Sequence, residues 1–285
     1  MHDIWKDLKK WRFWRWFLVH GFSAVGALVV LLEVIDFVLP GGLPLDGWPL
    51  ATGIVAAAVG YGLVRAWPRP IEQDFDSPQT CIRIVKGDLF AQDCHLVIGT
   101  CDTFDTLVPE VIAKGSIQGQ ALDRLYGGDV AQLDRELAQA LAGRDVRLAT
   151  ITKPGKIQKY GVGSIATLRH GSQRAYFLAY SEMNEHNEAH STADGIWKSL
   201  SLLWQEVSRT ANGGAVAIPV IGGGQSRVSQ LVPAQDSIRL IILSYMFASR
   251  AKKVCDELRI IVRPQDFDRL DRLQLQAFLG SMRSS

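Results

Sequence analysis

The sequence predicts an α/β protein in two parts: an N-terminal two-helix transmembrane hairpin, then a three-layer α/β/α domain with a mixed, mostly parallel sheet. Three observations carry that prediction. Apolar residues make up 47% of the 285-residue chain but are spread unevenly, with two runs of membrane-spanning length inside the first seventy residues. Behind them, short β-branched runs are separated by segments with apolar residues recurring at three and four. The later strands and helices alternate strictly, which is the order that builds a parallel sheet covered on both faces.

Residues 1–16 form a basic and aromatic lead-in containing Lys6, Lys9, Lys10, Arg12 and Arg15. The first span, residues 17–39, reads FLVHGFSAVGALVVLLEVIDFVL. About 23 residues at ~1.5 Å each reach the ~30 Å of a hydrocarbon core. Residues 40–47, PGGLPLDG, break both helix and strand and make an extracytoplasmic turn. The second span, residues 48–67, is thinned by Gly53, Gly60, Gly62 and several alanines, so a neighbouring helix can approach closely.

Cationic loops stay inside during insertion, and Arg65 and Arg69 end the second span while the turn has no Lys or Arg. Both termini are therefore expected on the cytoplasmic side of the inner membrane. Trp11, Trp14, Trp16, Trp48 and Trp67 fall where an interfacial belt belongs. A cleaved signal peptide would need a shorter apolar core and leaves the second run unexplained. A pair of buried helices in a soluble domain is the other rival, because His20, Glu33 and Asp36 interrupt the first run. Glu33 and Asp36 are three apart and share a face. They are either hydrated at the outer interface or line a polar seam between subunits.

Residues 68–79 combine proline with acidic residues and read as a linker, which puts the start of the folded domain near Thr80 and its extent at 80–285. Strands are expected at 81–86, 95–100, 146–151, 163–168, 174–180, 215–220 and 258–262. Helices are expected at 119–142, 192–210, 234–251 and 265–282. Cys81, Cys94, Cys101 and Cys255 lack CxxC spacing and read as free thiols. A formal net charge of +2, with no basic block interleaved with aromatics, argues against nucleic acid as a partner.

Ligands of such sheets collect beyond the carboxyl ends of the strands, so the strand ends are where functional residues are sought. The first strand exits through Gly87 and Asp88-Leu89, where a carboxylate can accept a hydrogen bond from an exocyclic amine. The second runs into Thr100-Cys101-Asp102-Thr103-Phe104-Asp105-Thr106, whose acids either meet a ligand or cap a turn. A later strand ends in Gly222-Gly223-Gly224-Gln225-Ser226-Arg227. Such a loop frees backbone N–H groups to surround phosphates, yet it is neither the Walker pattern nor the dinucleotide fingerprint. His186 and His190 in HNEAH lack the glutamate of the hydrolytic zinc motif and read as a solvated helix start. Cys94-His95 with Cys101 has no visible fourth ligand. No serine occupies a nucleophile elbow. Neither a metal nor a prosthetic group is expected.

With KGD at 86–88, FDT at 104–106, SIQGQ at 116–120 and IPVIGGG at 218–224, residues 80 to about 270 resemble a macro domain. Preceded by two spans, the whole is similar to the membrane effector of type II Thoeris antiphage defence. The resemblance implies ADP-ribose binding, with Asp88 at the adenine amine, Ser116 and Gln118 at the site, residues 222–227 at the diphosphate and Phe267 as a stacking ring. It also implies that the ligand is a signal, a histidine conjugate of ADP-ribose made from NAD by a TIR enzyme. On that reading the chain is a sensor and no enzyme, a homo-oligomer (a tetramer is the working number) that disrupts the membrane and aborts infection. Macro hydrolases carry an asparagine in the loop after the second strand, where this chain has Thr100 to Thr106. That departure leaves Asp102 or Asp105 to pair with a cationic group on the ligand. The rivals are a membrane-tethered ADP-ribosyl hydrolase and a passive ADP-ribose reader.

Overall fold

A computed structural model describes residues 11–38, 47–67, 70–143, 149–221 and 233–284. The chain divides into two compact units, Met1–Pro70 and Ile71–Ser285. The first holds helix α1 (Trp11–Val38) and helix α2 (Gly47–Ala66). Both are long and apolar enough to cross a membrane, α1 over Phe13–Val38. The helix starts before the expected Phe17, because Trp11, Trp14 and Trp16 continue it rather than preceding it. Leu39 and residues 40–46 of the expected turn lie outside the described residues, as do residues 1–10.

The small residues of α2 serve the expected close approach. A Cβ on Gly62 would stand 3.0 Å from Phe17 Cδ2 of α1, and one on Gly21 would stand 3.8 Å from the Ala58 carbonyl. Hydroxyls within these two helices are satisfied along their own backbones, Ser23 Oγ to the Val19 carbonyl at 2.8 Å and Thr52 Oγ1 to the Trp48 carbonyl at 2.7 Å. His20 stacks on Trp16 and meets Tyr61 edge-on, and Arg65 lies 5.9 Å over the Tyr61 ring. Glu33 and Asp36 are exposed on α1.

The second unit is an eight-stranded sheet in the order β1-β2-β10-β9-β3-β7-β6, with β8 paired to β7. Its strands are β1 (Ile71–Asp76), β2 (Gln79–Lys86), β3 (His95–Cys101), β6 (Ile165–His170), β7 (Gln173–Met183), β8 (Ala189–His190), β9 (Val216–Pro219) and β10 (Glu257–Val262). The five central strands β2, β10, β9, β3 and β7 run parallel, and β1 and β6 close the edges antiparallel. Central strands are buried on both faces, which is why β3 carries Leu96, Val97 and Ile98 in succession at 2% exposure or less. A separate two-stranded ladder pairs β4 (Ala149–Thr150) with β5 (Gln158–Lys159). The strand expected at 146–151 is thus no part of the main sheet, and residues 144–148 lie outside the described residues.

Helices α3 (Ile117–Tyr126) and α4 (Val130–Leu141) cover one face, through Leu122, Leu133 and Leu137 packed against Phe177. Helices α5 (Ala193–Thr210), α6 (Ala234–Ala251) and α8 (Arg272–Ser281) cover the other, together with the single turn α7 (Pro264–Phe267). At the centre of that second layer the Trp204 and Tyr245 rings meet edge-on at 5.3 Å, and Trp204 Nε1 donates to Ser244 Oγ at 2.9 Å.

Three expectations are corrected here. The expected linker 68–79 is not one from Ile71 onward: Ile71 and Phe75 alternate with acidic residues to make β1, which pairs with β2 from Ile71↔Ile84 to Asp76↔Gln79, while residues 68 and 69 lie outside the described residues. Its outer edge is covered by α8, where Gln276 exchanges two hydrogen bonds with the Glu72 backbone. The helix expected at 119–142 is two helices. Gly127 and Gly128 adopt φ of +59° and +86°, a left-handed stop that ends α3 before Asp129 caps α4. The helix expected at 265–282 is likewise interrupted, and α8 restarts with the Asp271 carboxylate accepting from Gln274 N–H.

Candidate functional site

The carboxyl ends of the five parallel strands open into one cavity of about 570 Å³, within the range that holds a small molecule. Each strand delivers part of the wall. β2 ends in Gly87, Asp88 and Leu89, β10 in Arg263, and β9 in Pro219, Val220 and Ile221. β3 contributes Gly99, Thr100 and Cys101, and β7 contributes Tyr180, Ser181 and Met183. The first turn of α3 faces these ends with Ser116, Ile117, Gln118 and Gln120.

Asp88 caps a short turn after β2: its Oδ1 accepts from Phe90 N–H at 3.0 Å, and its Oδ2 pairs with Arg124 Nη2 at 2.8 Å. Ser116 caps α3, accepting from Gly119 N–H at 3.0 Å. Gly119 is obligatory there, since a Cβ would come 2.5 Å from the Ala113 carbonyl. Gly99 is tightly covered in β3, because the Tyr180 ring lies across it and a Cβ would stand 2.5 Å from Cε1 unless the ring moved. Cys101 is buried at the cavity wall and approaches Thr103 Oγ1 at 3.2 Å. Burial pushes its thiol above the ordinary value, which keeps it protonated and a poor nucleophile.

Of the residues expected from sequence, the structure brings Asp88, Leu89, Thr100, Cys101, Ser116 and Gln118 to the cavity. It does not bring Asp102, Thr103, Phe104 or Asp105 there, all of them at most 1% exposed. Asp105 is turned inward: Oδ2 accepts from Thr103 Oγ1 at 2.6 Å and pairs with Lys153 Nζ at 2.7 Å, and Oδ1 accepts from Lys156 N–H at 2.7 Å. Its carbonyl takes the Gln118 side-chain amide. Asp102 Oδ1 accepts from Met183 N–H at 2.8 Å, and Oδ2, without a hydrogen bond, lies 3.3 Å from Lys159 Nζ. Burial raises the Asp102 carboxyl above the usual carboxylate range, against the opposing pull of the Met183 N–H and Lys159.

Three lysines of the β4–β5 hairpin thus strap the loop after β3 in place, Lys156 also reaching the Phe104 carbonyl and Asp134. The expectation that Asp102 or Asp105 faces a ligand is corrected: both carboxylates are taken by internal partners. Phe267 is also displaced. It is 8% exposed within the α5/α6/α8 core with Arg272 over its ring at 5.4 Å, so it presents no open face to stack on. Gly222, Gly223, Gly224, Gln225, Ser226 and Arg227 lie outside the described residues.

Several wall residues were not anticipated. Asn187 and Glu188 reach the cavity from the turn between β7 and β8. Asn187 Oδ1 has no hydrogen-bond partner, while Glu188 receives the Asn184 amide at 3.2 Å and stands 3.5 Å from His190 Nε2. The HNEAH stretch, expected to start a helix, is instead the turn into β8 with β8 itself, and α5 begins only at Ala193. Among the described wall residues Arg263 is the one Lys or Arg, held 3.0 Å from Asp266. Its place directly after a central parallel strand was the available signal. Among the described residues no group of three or more His, Cys, Asp or Glu is arranged to hold a metal ion.

A family profile described as "Thoeris protein ThsA, Macro domain" matches residues 82–263. The Thoeris protein ThsA of Bacillus amyloliquefaciens (strain Y2) is 23% identical over 208 residues, covering 69% of this chain and 67% of that one. Among solved structures, the Oceanobacillus iheyensis macrodomain with ADP aligns at 11% identity and a TM-score of 0.47, over 76% of this chain and 97% of that one. The Trypanosoma brucei macrodomain in complex with ADP-ribose aligns at 10% identity and a TM-score of 0.46, over 72% and 73%.

Proposed function

We propose, on the premise that this chain belongs to the Thoeris ThsA macro-domain family, that it is a membrane effector of antiphage defence which senses an ADP-ribose-derived nucleotide. The observation that carries the reading is the cavity's layout. Asp88 stands at the end of β2 and Glu188 beyond the end of β7, four strand spacings apart, about 19 Å across the sheet. That length suits an extended nucleotide. The Asp88 carboxylate is an acceptor for the adenine amine, and Arg263, at the end of the neighbouring strand β10 and paired with Asp266, brings a guanidinium to the same side of the cavity for the diphosphate. The far wall brings the Glu188 carboxylate, held by Asn184 and His190 at Oε2, to the end of the cavity where a donor-bearing or cationic group on the distal ribose would lie. A histidine conjugate made by a TIR enzyme has that character, and it replaces Asp102 and Asp105 with Glu188 as the matching acid.

The site is read as a binder rather than a hydrolase. The two acids of the loop after β3 are engaged with Lys159 and Lys153, so neither offers a base to a bound ligand. Binding then shifts an equilibrium between subunit arrangements. A ligand does this only by preferring one of them. The paired spans of the first unit, in a homo-oligomer with both termini cytoplasmic, disrupt the inner membrane as a consequence.

The test uses the full chain in detergent and in proteoliposomes. Calorimetry is expected to give saturable binding of ADP-ribose and tighter binding of its histidine conjugate, with the ligand recovered unchanged by mass spectrometry. Dye release from the vesicles is expected only with ligand. Absence of binding to both nucleotides overturns the reading. Turnover converts it to the hydrolase, and binding without release converts it to the passive reader.

A further inference from the structure

Arg124 lies outside the cavity wall, yet it holds the carboxylate at one end of it. Three contacts close a ring. Asp88 Oδ2 pairs with Arg124 Nη2 at 2.8 Å, Asp88 Oδ1 accepts from Phe90 N–H at 3.0 Å, and the Arg124 guanidinium lies 5.8 Å over the Phe90 ring. Each carboxylate oxygen therefore has one fixed partner, and the remaining lone pairs are left for the cavity. The Asp88 and Arg124 side chains are 40% and 48% exposed, so without Arg124 the carboxylate keeps the single Phe90 N–H anchor and can swing about it. Arg124 sits in the last turn of α3, whose first turn supplies Ser116 and Gln118 to the same cavity.

We infer that Arg124 is a positioning residue that sets the base selectivity of the site, by fixing Asp88 so that its acceptors meet a 6-amino purine and repel a 6-oxo purine. The inference rests on the reading that the cavity takes an adenine nucleotide. Adenine presents an N–H at this edge, and hypoxanthine presents a carbonyl oxygen beside a ring N–H. A fixed carboxylate repels the carbonyl. A carboxylate free to turn can accept the ring N–H instead, and discrimination falls. Arginine suits the task because its planar fork bonds the acid while its face stays over Phe90, which a lysine ammonium does not reproduce.

The experiment measures dissociation constants of ADP-ribose and of its hypoxanthine analogue for the full chain in detergent, in the parent, Arg124→Gln and Arg124→Lys. The parent is expected to prefer ADP-ribose. In Arg124→Gln, ADP-ribose affinity should fall about threefold to fivefold, the scale of a half-exposed ion pair, while the analogue changes less, so the preference narrows. Arg124→Lys should fall between. Equal weakening of both ligands overturns the inference and makes Arg124 a helix staple, as does an unchanged preference in both variants. A parent that binds ADP-ribose without preferring it also overturns the inference but leaves the proposed function standing. A parent that binds neither ligand removes the proposed function itself.

Discussion

Lys153 and Asp105 form an ion pair in which both side chains have no solvent exposure, at 2.7 Å. Replacing Lys153 with Met keeps the length and apolar bulk of the stem but leaves the carboxylate without its counter-charge. Thr103 Oγ1 and Lys156 N–H would still bond it, so the loss is charge compensation rather than every contact. Removing one partner of a buried pair costs about 3–5 kcal/mol. For a domain of this size each kcal/mol moves the midpoint by about 2–4 °C, so Lys153→Met should lower it by about 6–20 °C. Urea unfolding followed by tryptophan fluorescence, to which buried Trp204 contributes, reads the effect. The double variant Lys153→Met with Asp105→Leu should recover a large part of the loss, because no stranded charge remains. A Lys153→Met variant within 1 kcal/mol of the parent, or a double variant that is additive, would refute the claim that this pair straps the loop after β3.

Further outcomes follow from other contacts. Gly99→Ala places a methyl against the Tyr180 ring and should cost about 1–3 kcal/mol while weakening nucleotide binding, which paired calorimetry and urea titration would register. His95 accepts from Arg174 N–H at Nδ1 and meets the Ala211 carbonyl at Nε2, and burial lowers its pKa below the ordinary imidazole value. Its neutral form therefore stabilises the fold fully above about pH 6.5, and that contribution is lost as pH falls through the depressed folded value. Urea midpoints from pH 7.5 to 5 should fall more steeply for the parent than for His95→Asn. In the first unit, Gly62→Leu should force α1 from α2 at Phe17, seen as a lower disulfide yield between Gly21→Cys and Ala58→Cys than in the same pair with Gly62 retained.

The two apolar spans, the alternation of strand and helix and the strand-end position of the cavity were all legible in the sequence. Each depends on a periodicity or a run length that the chain carries locally. α6 was read residue for residue at Ala234–Ala251, because its apolar spacing is unbroken. β1 was not legible, since IEQDFD has the composition of a linker and becomes a strand only through pairing with β2 and cover from α8. The split of α3 from α4 had a visible cue in Gly127-Gly128, which the helical period on either side outweighed.

The site divides along the same line. Asp88, Leu89, Thr100 and Cys101 were expected where the cavity opens because a parallel sheet sends its strand ends to one side, while Ser116 and Gln118, at the start of α3, were expected from the family resemblance. Which way a side chain points at such an end is not a local property. Asp102 and Asp105 carry the same chemistry as Asp88, but lysines some fifty positions later reach back and bury them, and Glu188 takes the far end of the cavity from a hairpin that looked like a helix start. The sequence by itself determined most of the elements and the edge of the sheet where the cavity opens. Only tertiary structure decided which carboxylates face it, because a buried charge goes to whichever cation the fold brings within reach.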